Sequence, residues 1–372
     1  MDVKFWLDKK VLITGCTGFK GSWLTTWLHM LGAQVYGYSL PAPTNPSMWE
    51  DLQLEKFLQK MCYADIRDYA QLNQFIQESQ PEIIIHMAAQ PLVRYSYANP
   101  RETYEVNVMG TVNLLDCVRH VDCVRAVVNV TTDKCYENKE WVWPYRENEP
   151  MGGHDPYSSS KGCSELVTAA FIKSYFNLPG SATAIASARA GNVIGGGDWA
   201  IDRLIPDIIR SFSQDKEVVI RHPQAVRPWQ HVLEPLSGYM TLAEKLYMEG
   251  SSFSGGWNFG PLDTDVKTVE QVVTQMCELW GDGASWVKDH DITHPHEANL
   301  LRLDCSKART ILDWQPLWNS DTTLSKLITW YKAHAQKQSM EQVLDLTQQQ
   351  ITEYMKATET SSRRRTGSSL ME

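Results

Sequence analysis

Residues 10–21 read KVLITGCTGFKG, and this stretch decides the fold of the chain. A strand-like apolar segment ends at Thr14, and three glycines follow it. Glycine lets the backbone bend tightly where a strand turns into a helix, and it lets a pyrophosphate approach the N–H groups at the helix N-terminus. Because the loop follows the first strand of a repeating strand–helix pattern, the sequence predicts dinucleotide binding at Gly15, Gly18 and Gly21. A purely structural turn is the alternative.

Short runs rich in Val and Ile alternate with longer helical patterns through the first half of the chain. This alternation is typical of a parallel sheet with helices on both faces, which makes the expected fold α/β and doubly wound. The predicted strands are Lys10–Thr14, Gln34–Tyr38, Lys60–Tyr63, Glu82–His86, Val124–Val130 and Ala182–Ala188. The predicted helices are 18–31, 68–79, 96–119 and 156–177.

The regular alternation ends near residue 190, where glycines and prolines separate shorter elements. We expect residues 1–190 to form the nucleotide-binding domain, with some later segments crossing back to it. Residues 191–335 are expected to form mainly a smaller substrate-binding lobe. Residues 336–372 are expected to be helical and then, from Thr360, disordered, because a run of arginines near a terminus is usually solvated.

The composition excludes several classes of protein. A chain of 372 residues, 43% of them hydrophobic, can bury a large core. Its formal charge of −9 argues against nucleic-acid binding, since clustered Lys and Arg hold a phosphate backbone. The sequence shows no signal peptide and no long apolar run, so we expect a soluble, cytoplasmic protein without membrane contact. The eight cysteines lack CxxC or disulfide spacing, so we expect reduced thiols and no metal site.

The sequence leaves the choice between NAD and NADP open. The second strand, Val35 to Leu40, carries neither an acidic residue for the adenosine ribose nor an Arg for a 2′-phosphate. Asp65 and Ile66 follow the third strand, where the adenine is expected to lie. The alternative for this segment is a helix cap for the helix that starts near Asp68.

Tyr157 and Lys161 are four residues apart, so they share one face of the predicted helix. A nearby ammonium favours the phenolate and moves the tyrosine toward use as a base near neutral pH. The preceding strand leads into Thr132 and Asp133, and a doubly wound fold places its site at the carboxyl ends of its strands. We therefore predict catalysis at this pair, with an ordinary exposed helix pair as the alternative.

The chain resembles the extended short-chain dehydrogenase/reductase family to about residue 335. The motifs that carry the resemblance are the TGxxGFxG loop, Ala88-Ala89 after the fourth strand, Asn107, Thr132-Asp133 and the Tyr157/Lys161 pair. The resemblance implies a Rossmann domain with a smaller C-terminal lobe and tightly held NAD. It implies that Tyr157 deprotonates a sugar hydroxyl, that Thr132 hydrogen-bonds the same hydroxyl and that Lys161 binds the nicotinamide ribose. The implied cofactor-binding positions are Gly15, Thr17, Gly18, Phe19, Lys20, Gly21, Asp65, Ile66, Ala88, Ala89, Asn107, Tyr157 and Lys161.

Within this family, the TDKCY run at 132–136 resembles the nucleotide-sugar 4,6-dehydratases, which more often have Glu after the Asp. Lys134 in place of that Glu, Lys20 in the loop and the PTNP segment at 43–46 resemble the branch that acts on CDP-glucose. The reaction implied by this branch converts CDP-D-glucose to CDP-4-dehydro-6-deoxy-D-glucose and water. A pathway to the deoxysugars of bacterial surface polysaccharide, such as O-antigen, follows from the branch.

Dehydration needs more groups than a Tyr/Lys pair. Asp133 is the candidate acid for loss of the C6 hydroxyl, which requires it to be protonated and so buried or near negative charge. A turn cap is the alternative. Lys134 occupies the position of the Glu that removes the C5 proton in related dehydratases. It serves as the base if desolvation and a nearby Lys161 favour its neutral form, or else as a cation that stabilises the enolate.

Arg227 and Arg302 are the natural pair for the nucleotide diphosphate, because guanidinium binds phosphate oxygens in a fixed fork. Each Arg alone is equally an ordinary surface ion-pair former. Asn192 matches a family position that contacts the sugar nucleotide.

The resemblance to the family also implies a homodimer, formed through helices 96–119 and 156–177. The second helix carries Leu166, Val167, Ala170 and Phe171, which a monomer would expose unless they face only the sheet.

Two other functions are compatible with parts of the sequence. A 4-epimerase of the same family shares the loop and the Tyr/Lys pair but needs hydride to leave and return only at C4. The Asp133-Lys134 pair argues for the dehydratase. A non-catalytic NAD-binding scaffold is disfavoured by the presence of Tyr157 and Lys161. No residue reveals the nucleotide base by its chemistry.

Overall fold

The fold is built from short strands and amphipathic or buried helices, and the computed structural model describes residues 2–289, 301–336 and 339–368. The strands are β1 Lys10–Thr14, β2 Gln34–Ser39, β3 Leu58–Tyr63, β4 Ile83–His86, β5 Ala126–Val130, β6 Ala184–Ala190, β7 Val193–Ile194, β8 Val218–Ile220, β9 Val226–Arg227, β10 Gln230–His231, β11 Gly255–Phe259, β12 Lys267–Thr268 and β13 Trp286–Lys288. The α-helices are α1 Phe19–Met30, α2 Met48–Asp51, α3 Tyr69–Ser79, α4 Val93–Ala98, α5 Pro100–Tyr104, α6 Gly110–Val118, α7 Pro156–Phe171, α8 Leu204–Phe212, α9 Leu233–Glu249, α10 Val269–Trp280, α11 Ser306–Ile311, α12 Ser320–Ala335 and α13 Met340–Ser368.

Seven strands form one parallel sheet in the order β11-β6-β5-β4-β1-β2-β3. The direction of winding reverses between β1 and β4, which pair directly with each other. Ligands of open α/β sheets bind in the crevice that opens at such a switch point, beyond the carboxyl ends of the strands. The predicted doubly wound fold is confirmed, and its switch point lies beside the glycine loop.

The predicted strands agree closely with the observed ones, and β1 has the predicted bounds. The seventh strand, β11, comes from the second half of the chain and pairs with the outer edge of β6. It lies next to α9. Part of the later chain therefore returns to the nucleotide-binding sheet.

The predicted helix over 96–119 is not continuous. It consists of α4, α5, a π-helical turn at Glu105–Met109 and α6. Pro100 has no N–H to donate, so it begins α5 instead of continuing α4. The predicted helix over 156–177 is α7 followed by a π-helical turn at Ile172–Phe176.

The core lies on both faces of the sheet, as the uniformly apolar strands predict. In β4, Ile83 and Ile85 belong to one buried cluster and Ile84 belongs to the other. All eight cysteines are free thiols, and four of them are buried. No helix within the described ranges is long and apolar enough to cross a membrane.

The last helix, α13, packs on the glycine-loop helix α1 through an edge-to-face contact between Tyr354 and Trp27. It continues to Ser368, through positions where disorder was expected from Thr360 onward. Residues 369–372 lie outside the described residues.

Candidate active site

At two positions of the loop, the surrounding backbone leaves room only for glycine. Gly15 has φ +74°, and a Cβ there would lie 2.7 Å from the backbone nitrogen of Ala88. A Cβ on Gly21 would lie 2.3 Å from the carbonyl oxygen of Gly15. These contacts let the first turn of α1 pack closely on the ends of β1 and β4, so any side chain at either position would push the loop away.

Gly18 differs from the other two glycines. A Cβ at this position would meet only the Gly15 carbonyl oxygen, at an ordinary contact distance of 3.5 Å. Gly18 is the N-cap of α1, no side chain caps that helix end, and the residue lines the large cavity at the sheet edge. The space beside Gly18 and the uncapped N–H groups of α1 fit the pyrophosphate of a dinucleotide.

Side-chain hydrogen bonds fix the loop to its neighbours. The Thr14 hydroxyl lies 2.7 Å from His86 Nδ1 and accepts a hydrogen bond from the N–H of Ala88. The Thr17 hydroxyl donates to the carbonyl of Leu40, just beyond the end of β2. It also lies 2.8 Å from the hydroxyl of Ser39, at the carboxyl end of the strand that lacks the usual acidic residue.

The cavity has a volume of about 1200 Å³ and brings together most of the predicted site residues. The predicted residues that line it are Gly15, Thr17, Gly18, Phe19, Lys20, Gly21, Asp65, Ile66, Ala88, Ala89, Thr132, Asp133, Lys134, Tyr157, Lys161, Asn192 and Arg227. Two predicted residues, Asn107 and Arg302, are outside this lining.

Asn107 is buried outside the cavity lining and holds two segments of the site together. Its amide oxygen accepts from the N–H of Gln90, and its amide nitrogen donates to the Gln90 carbonyl and to the Ser160 hydroxyl. The side chain therefore joins the loop after β4 to α7.

Asp65 forms an ion pair with Arg67. The helix-capping role considered for this segment belongs to Asp68, which caps α3.

Of the two arginines predicted for the diphosphate, one lines the cavity and the other does not. Arg227 lines the cavity at the end of β9. Arg302 donates instead to the carbonyl of Val142. Of the predicted pair, Arg227 is thus the one placed at the cavity, because the sequence could not show which chain segment Arg302 packs against.

Tyr157 and Lys161 lie on the first turns of α7, whose N-terminus is capped by the Asp155 carboxylate. Lys161 donates to the carbonyl of Val130 at 3.2 Å, and burial lowers its pKa to about 8. Burial also raises the pKa of Tyr157 to about 12, although the Thr132 hydroxyl and the charge of Arg203 act in the opposite direction. Lys161 lies one helical turn after Tyr157, and the expected effect of its ammonium on the tyrosine stays a prediction.

Asp133 is only 3% exposed, and burial raises the pKa of its carboxyl group above the ordinary value. The shift is in the direction that a proton-carrying acid needs. The Thr132 hydroxyl donates to Asp133 Oδ1 at 3.0 Å. The turn cap considered for Asp133 is supplied by Thr132, which accepts from the N–H of Lys134.

The structure distinguishes three lysines of the cavity. Lys134 is exposed on the cavity wall. The positive charge of Lys161 reaches Lys20, where burial together with Arg203 and Lys161 lowers the pKa to about 7. Lys20 donates to the hydroxyl of Tyr239 at 3.3 Å. Repulsion from Lys161 thus acts on Lys20, whose side chain the α1 turn directs inward.

A buried ion pair behind the site was missed from the sequence. Glu165, one helical turn after Lys161, binds Arg189 of β6 at 2.7 Å. The Thr131 hydroxyl at the end of β5 donates to the same carboxylate. The spacing of Lys161 and Glu165 was visible in the sequence, but only the strand order brings Arg189 to them.

No cluster of three or more His, Cys, Asp or Glu in the described ranges is arranged to hold a metal ion.

The family model described as GDP-mannose 4,6 dehydratase matches residues 12–327, which include the sheet, the cavity and the cluster around Tyr157. The chain belongs to this family. It is 56% identical over 361 residues to CDP-glucose 4,6-dehydratase of Salmonella typhimurium, covering 96% of this chain and 99% of that protein. It is 26% identical to a probable dTDP-glucose 4,6-dehydratase of Sinorhizobium fredii, covering 87% of this chain and 92% of the relative.

Solved structures with the same type of fold agree with the architecture. The dTDP-glucose 4,6-dehydratase of Bacillus anthracis in complex with NAD superposes with a TM-score of 0.70 and 23% identity. The match covers 88% of this chain and 98% of that one. A UDP-glucose 4-epimerase of Thermotoga maritima gives a TM-score of 0.72 at 20% identity, covering 87% of this chain and 99% of that one. At these identities the similarity establishes the fold.

Proposed function

We propose that this protein converts CDP-D-glucose to CDP-4-dehydro-6-deoxy-D-glucose and water, using tightly bound NAD. The observation that carries the proposal is the 56% identity to a CDP-glucose 4,6-dehydratase over 96% of the chain. The site supports it, because Tyr157 is accompanied by the buried carboxyl group of Asp133. A 4-epimerase does not remove the C6 hydroxyl of its substrate, so it needs no such acid.

The residues of the loop fit NAD. The open space at Gly18 and the N–H groups of α1 would hold the pyrophosphate, and Asp65 and Ile66 would lie at the adenine. Lys161 would bind the nicotinamide ribose. When bound, NAD supplies a site that accepts hydride from C4 of the sugar and returns it to C6.

The side chains of Tyr157, Thr132, Asp133 and Lys134 divide the proton chemistry among them. Tyr157, in its phenolate form, removes the proton of the C4 hydroxyl, and Thr132 orients that hydroxyl. The ketone formed at C4 acidifies C5–H. Asp133 then protonates the C6 hydroxyl, which leaves as water. Lys134 is exposed on the cavity wall, where it can take the C5 proton or stabilise the enolate.

Arg227 and Asn192 are proposed to bind the nucleotide diphosphate and the sugar. Both line the same cavity as the glycine loop. A single guanidinium can hold two phosphate oxygens at once, so one arginine suffices for a bidentate contact. The product is proposed to supply deoxysugars for surface polysaccharide such as O-antigen.

A homodimer is proposed through α4–α6 and α7. Leu166 of α7 is 59% exposed and Met109 of the preceding π-helical turn is 48% exposed, while Val167 and Phe171 pack against the core. Exposed apolar side chains of this size on the two elements would be covered by association. Sedimentation velocity should show a dimer at micromolar concentration that Leu166→Glu dissociates and Met248→Glu, on the exposed end of α9, does not. A stable native monomer would contradict the dimer.

The proposed function is tested by incubating the purified protein separately with CDP-, dTDP- and UDP-glucose. We expect a 4-keto-6-deoxy product with a C6 methyl group from CDP-glucose, without lasting NADH absorbance, because the hydride is returned. A product that retains the C6 hydroxyl and is inverted at C4 would make the protein an epimerase. Stoichiometric NADH accumulation would make it a simple dehydrogenase, and faster turnover of another nucleotide sugar would overturn the choice of base.

A further inference from the structure

Gly191 directly follows β6 and lies between the candidate acid and the segment that carries Arg227. A Cβ on Gly191 would lie 2.8 Å from Asp133 Oδ2 and 3.0 Å from Pro228 Cγ. All four residues line the cavity. Gly191 does not have the positive φ of Gly15, so its backbone conformation is open to other residues. The room that Asp133 occupies is therefore what calls for glycine at this position.

The oxygen that faces Gly191 is the one that carries the proton of Asp133. The Thr132 hydroxyl donates to Oδ1 at 3.0 Å, which makes Oδ1 the accepting, carbonyl-type oxygen of the group. A protonated carboxyl group has a single O–H donor. When Asp133 is protonated, Oδ2 therefore holds the proton. The use of this proton rests on the proposed function, in which Asp133 protonates the C6 hydroxyl.

The contact at Gly191 differs in kind from the contact at Gly21. At Gly21 a Cβ would meet backbone atoms, which move only if the loop moves. At Gly191 a Cβ would first meet the end of the Asp133 side chain, which turns about its own bonds, while Asp133 Cγ lies at an ordinary 3.4 Å. An alanine at this position should therefore displace Oδ2, with a small shift of Pro228, and leave the backbone in place.

We propose that Gly191 is a positioning residue for the elimination step. The room that it leaves holds Asp133 Oδ2 where the oxygen can protonate the C6 hydroxyl. In this step the Oδ2–H and C6–O bonds break, the electron pair of the C4 enolate forms the C5–C6 double bond, and water leaves. Proton transfer requires donor and acceptor within about 2.6–3.2 Å of each other. Oxidation at C4 comes earlier and does not use Oδ2.

The proposal is tested with Gly191→Ala in the NAD-loaded protein, by rapid mixing with saturating CDP-glucose. NADH absorbance follows oxidation at C4, and release of the 4-keto-6-deoxy product follows elimination. NADH should form at the native rate, because the groups that act at C4 are unchanged. Its decay and the release of product should be slower by roughly 100-fold, the usual cost of misplacing a reacting group by about 1 Å. The variant should therefore accumulate NADH before product appears.

The double variant Asp133→Ala/Gly191→Ala tests whether Gly191 acts through the acid. Without the carboxyl group there is nothing for the new methyl group to displace, so elimination should be no slower than in Asp133→Ala alone. A further loss of the same size in the double variant would show that Gly191 acts on another group, and this would overturn the proposal. Native elimination by Gly191→Ala, or loss of NADH formation in it, would also overturn the proposal.

Gly260→Ala is the matched control. Gly260 follows β11 as Gly191 follows β6, and the last residues of these two strands are paired with each other. A Cβ on Gly260 would meet Cys305 Sγ at 3.5 Å and Leu303 Cβ at 3.7 Å, which are ordinary contacts. This variant should turn over as the native protein does.

The same measurements separate this proposal from the proposed function. If the native protein makes no 4-keto-6-deoxy product from CDP-glucose, the proposed function fails. Native elimination by Asp133→Ala would remove Asp133 as the acid and overturn the role of Gly191 with it. If the native protein is active and Asp133→Ala is slow, the result for Gly191→Ala decides the positioning role alone.

Discussion

At the scale of single residues, the same residue type has different roles because its surroundings differ. Gly15 and Gly21 are required by the close approach of backbone atoms, whereas Gly18 adjoins open cavity. Lys20 and Lys161 are held inside the cavity, while Lys134 is exposed. The spacing in the sequence identified every one of these positions. It does not show how crowded or how buried each residue is, and these surroundings decide its role.

Gly18→Val is predicted to remove bound NAD without unfolding the protein. A Cβ at this position meets no backbone atom closer than an ordinary contact, and the valine side chain would occupy the space proposed for the pyrophosphate. We expect NAD affinity to fall at least ~100-fold, or about 2.7 kcal/mol, as measured by the cofactor content of the purified protein. The urea unfolding midpoint of the NAD-free forms should be nearly unchanged.

Gly21→Ala is the comparison for this experiment. Its Cβ would lie 2.3 Å from the Gly15 carbonyl oxygen, so we expect a loss of stability of about 1–3 kcal/mol, as for other overpacked sites. Full cofactor content in Gly18→Val would contradict the placement of the pyrophosphate.

Lys134→Met is predicted to separate oxidation from elimination. Both roles considered for Lys134, base at C5 or stabiliser of the enolate, act after the C4 ketone has formed. The variant should still form NADH with CDP-glucose but lose exchange of the C5 proton with solvent and release of water. NADH absorbance and deuterium incorporation measure the two steps. Lys139→Met, on the neighbouring loop, should behave as the native protein, and normal dehydration by Lys134→Met would make Lys134 a structural residue.

At the scale of elements, most strands of the sheet could be predicted from the sequence. The edge strand β11, the break in one helix and the contacts between elements could not. Six strands were located because β-branched runs alternate with helical periodicity. The seventh, β11, has the sequence GGWNF and becomes a strand only by pairing with β6. The break in the helix at 96–119 depends on Pro100 and on a π-helical turn that periodicity does not reveal. The Glu165–Arg189 pair, which links α7 to β6, likewise depends on strand order.

Arg189→Met is predicted to destabilise the protein by about 3–5 kcal/mol, the usual cost of leaving a buried charge unpaired. Burial acts to raise the pKa of Glu165, but Arg189 and three hydrogen bonds outweigh it and lower that pKa. The double variant Glu165→Met/Arg189→Met should regain much of the loss, because neither charge remains. Urea unfolding at pH 7 measures both values. A double variant less stable than Arg189→Met alone would show that the hydroxyl contacts of Glu165 matter more than its charge.

At the scale of the whole molecule, a buried carboxyl group of α9 is one of the contacts that hold the C-terminal helix α13. Glu234 of α9 accepts from the Tyr354 hydroxyl of α13 at 2.6 Å and from the N–H of Trp318 at 2.7 Å. Burial raises the pKa of Glu234 to about 7. The helix lies beyond the segment that the family model matches, which ends at residue 327.

Glu234 is predicted to make stability fall as pH rises toward neutrality. The folded chain keeps its proton up to about pH 7, whereas an unfolded glutamate releases it near pH ~4.3. The folded state therefore binds more protons between these values, and the free energy of unfolding declines as pH rises through this window. Glu234→Gln should remove up to roughly 3 kcal/mol of that decline, measured by urea unfolding from pH 4.5 to 8. Glu249→Gln, exposed on the same helix, should leave it intact, and an unchanged slope in Glu234→Gln would contradict the assignment.

The return of β11 to the outer edge of β6 has a consequence for synthesis of the chain. While the ribosome is still making the segment between Ala190 and Gly255, β6 presents an unpaired edge. At bacterial or eukaryotic translation speeds this interval lasts on the order of several seconds. The nascent protein is therefore open to edge-to-edge aggregation during a defined time window. Slow codons within that segment would lengthen the exposure, and chaperones acting on nascent chains would be needed most while it is being translated.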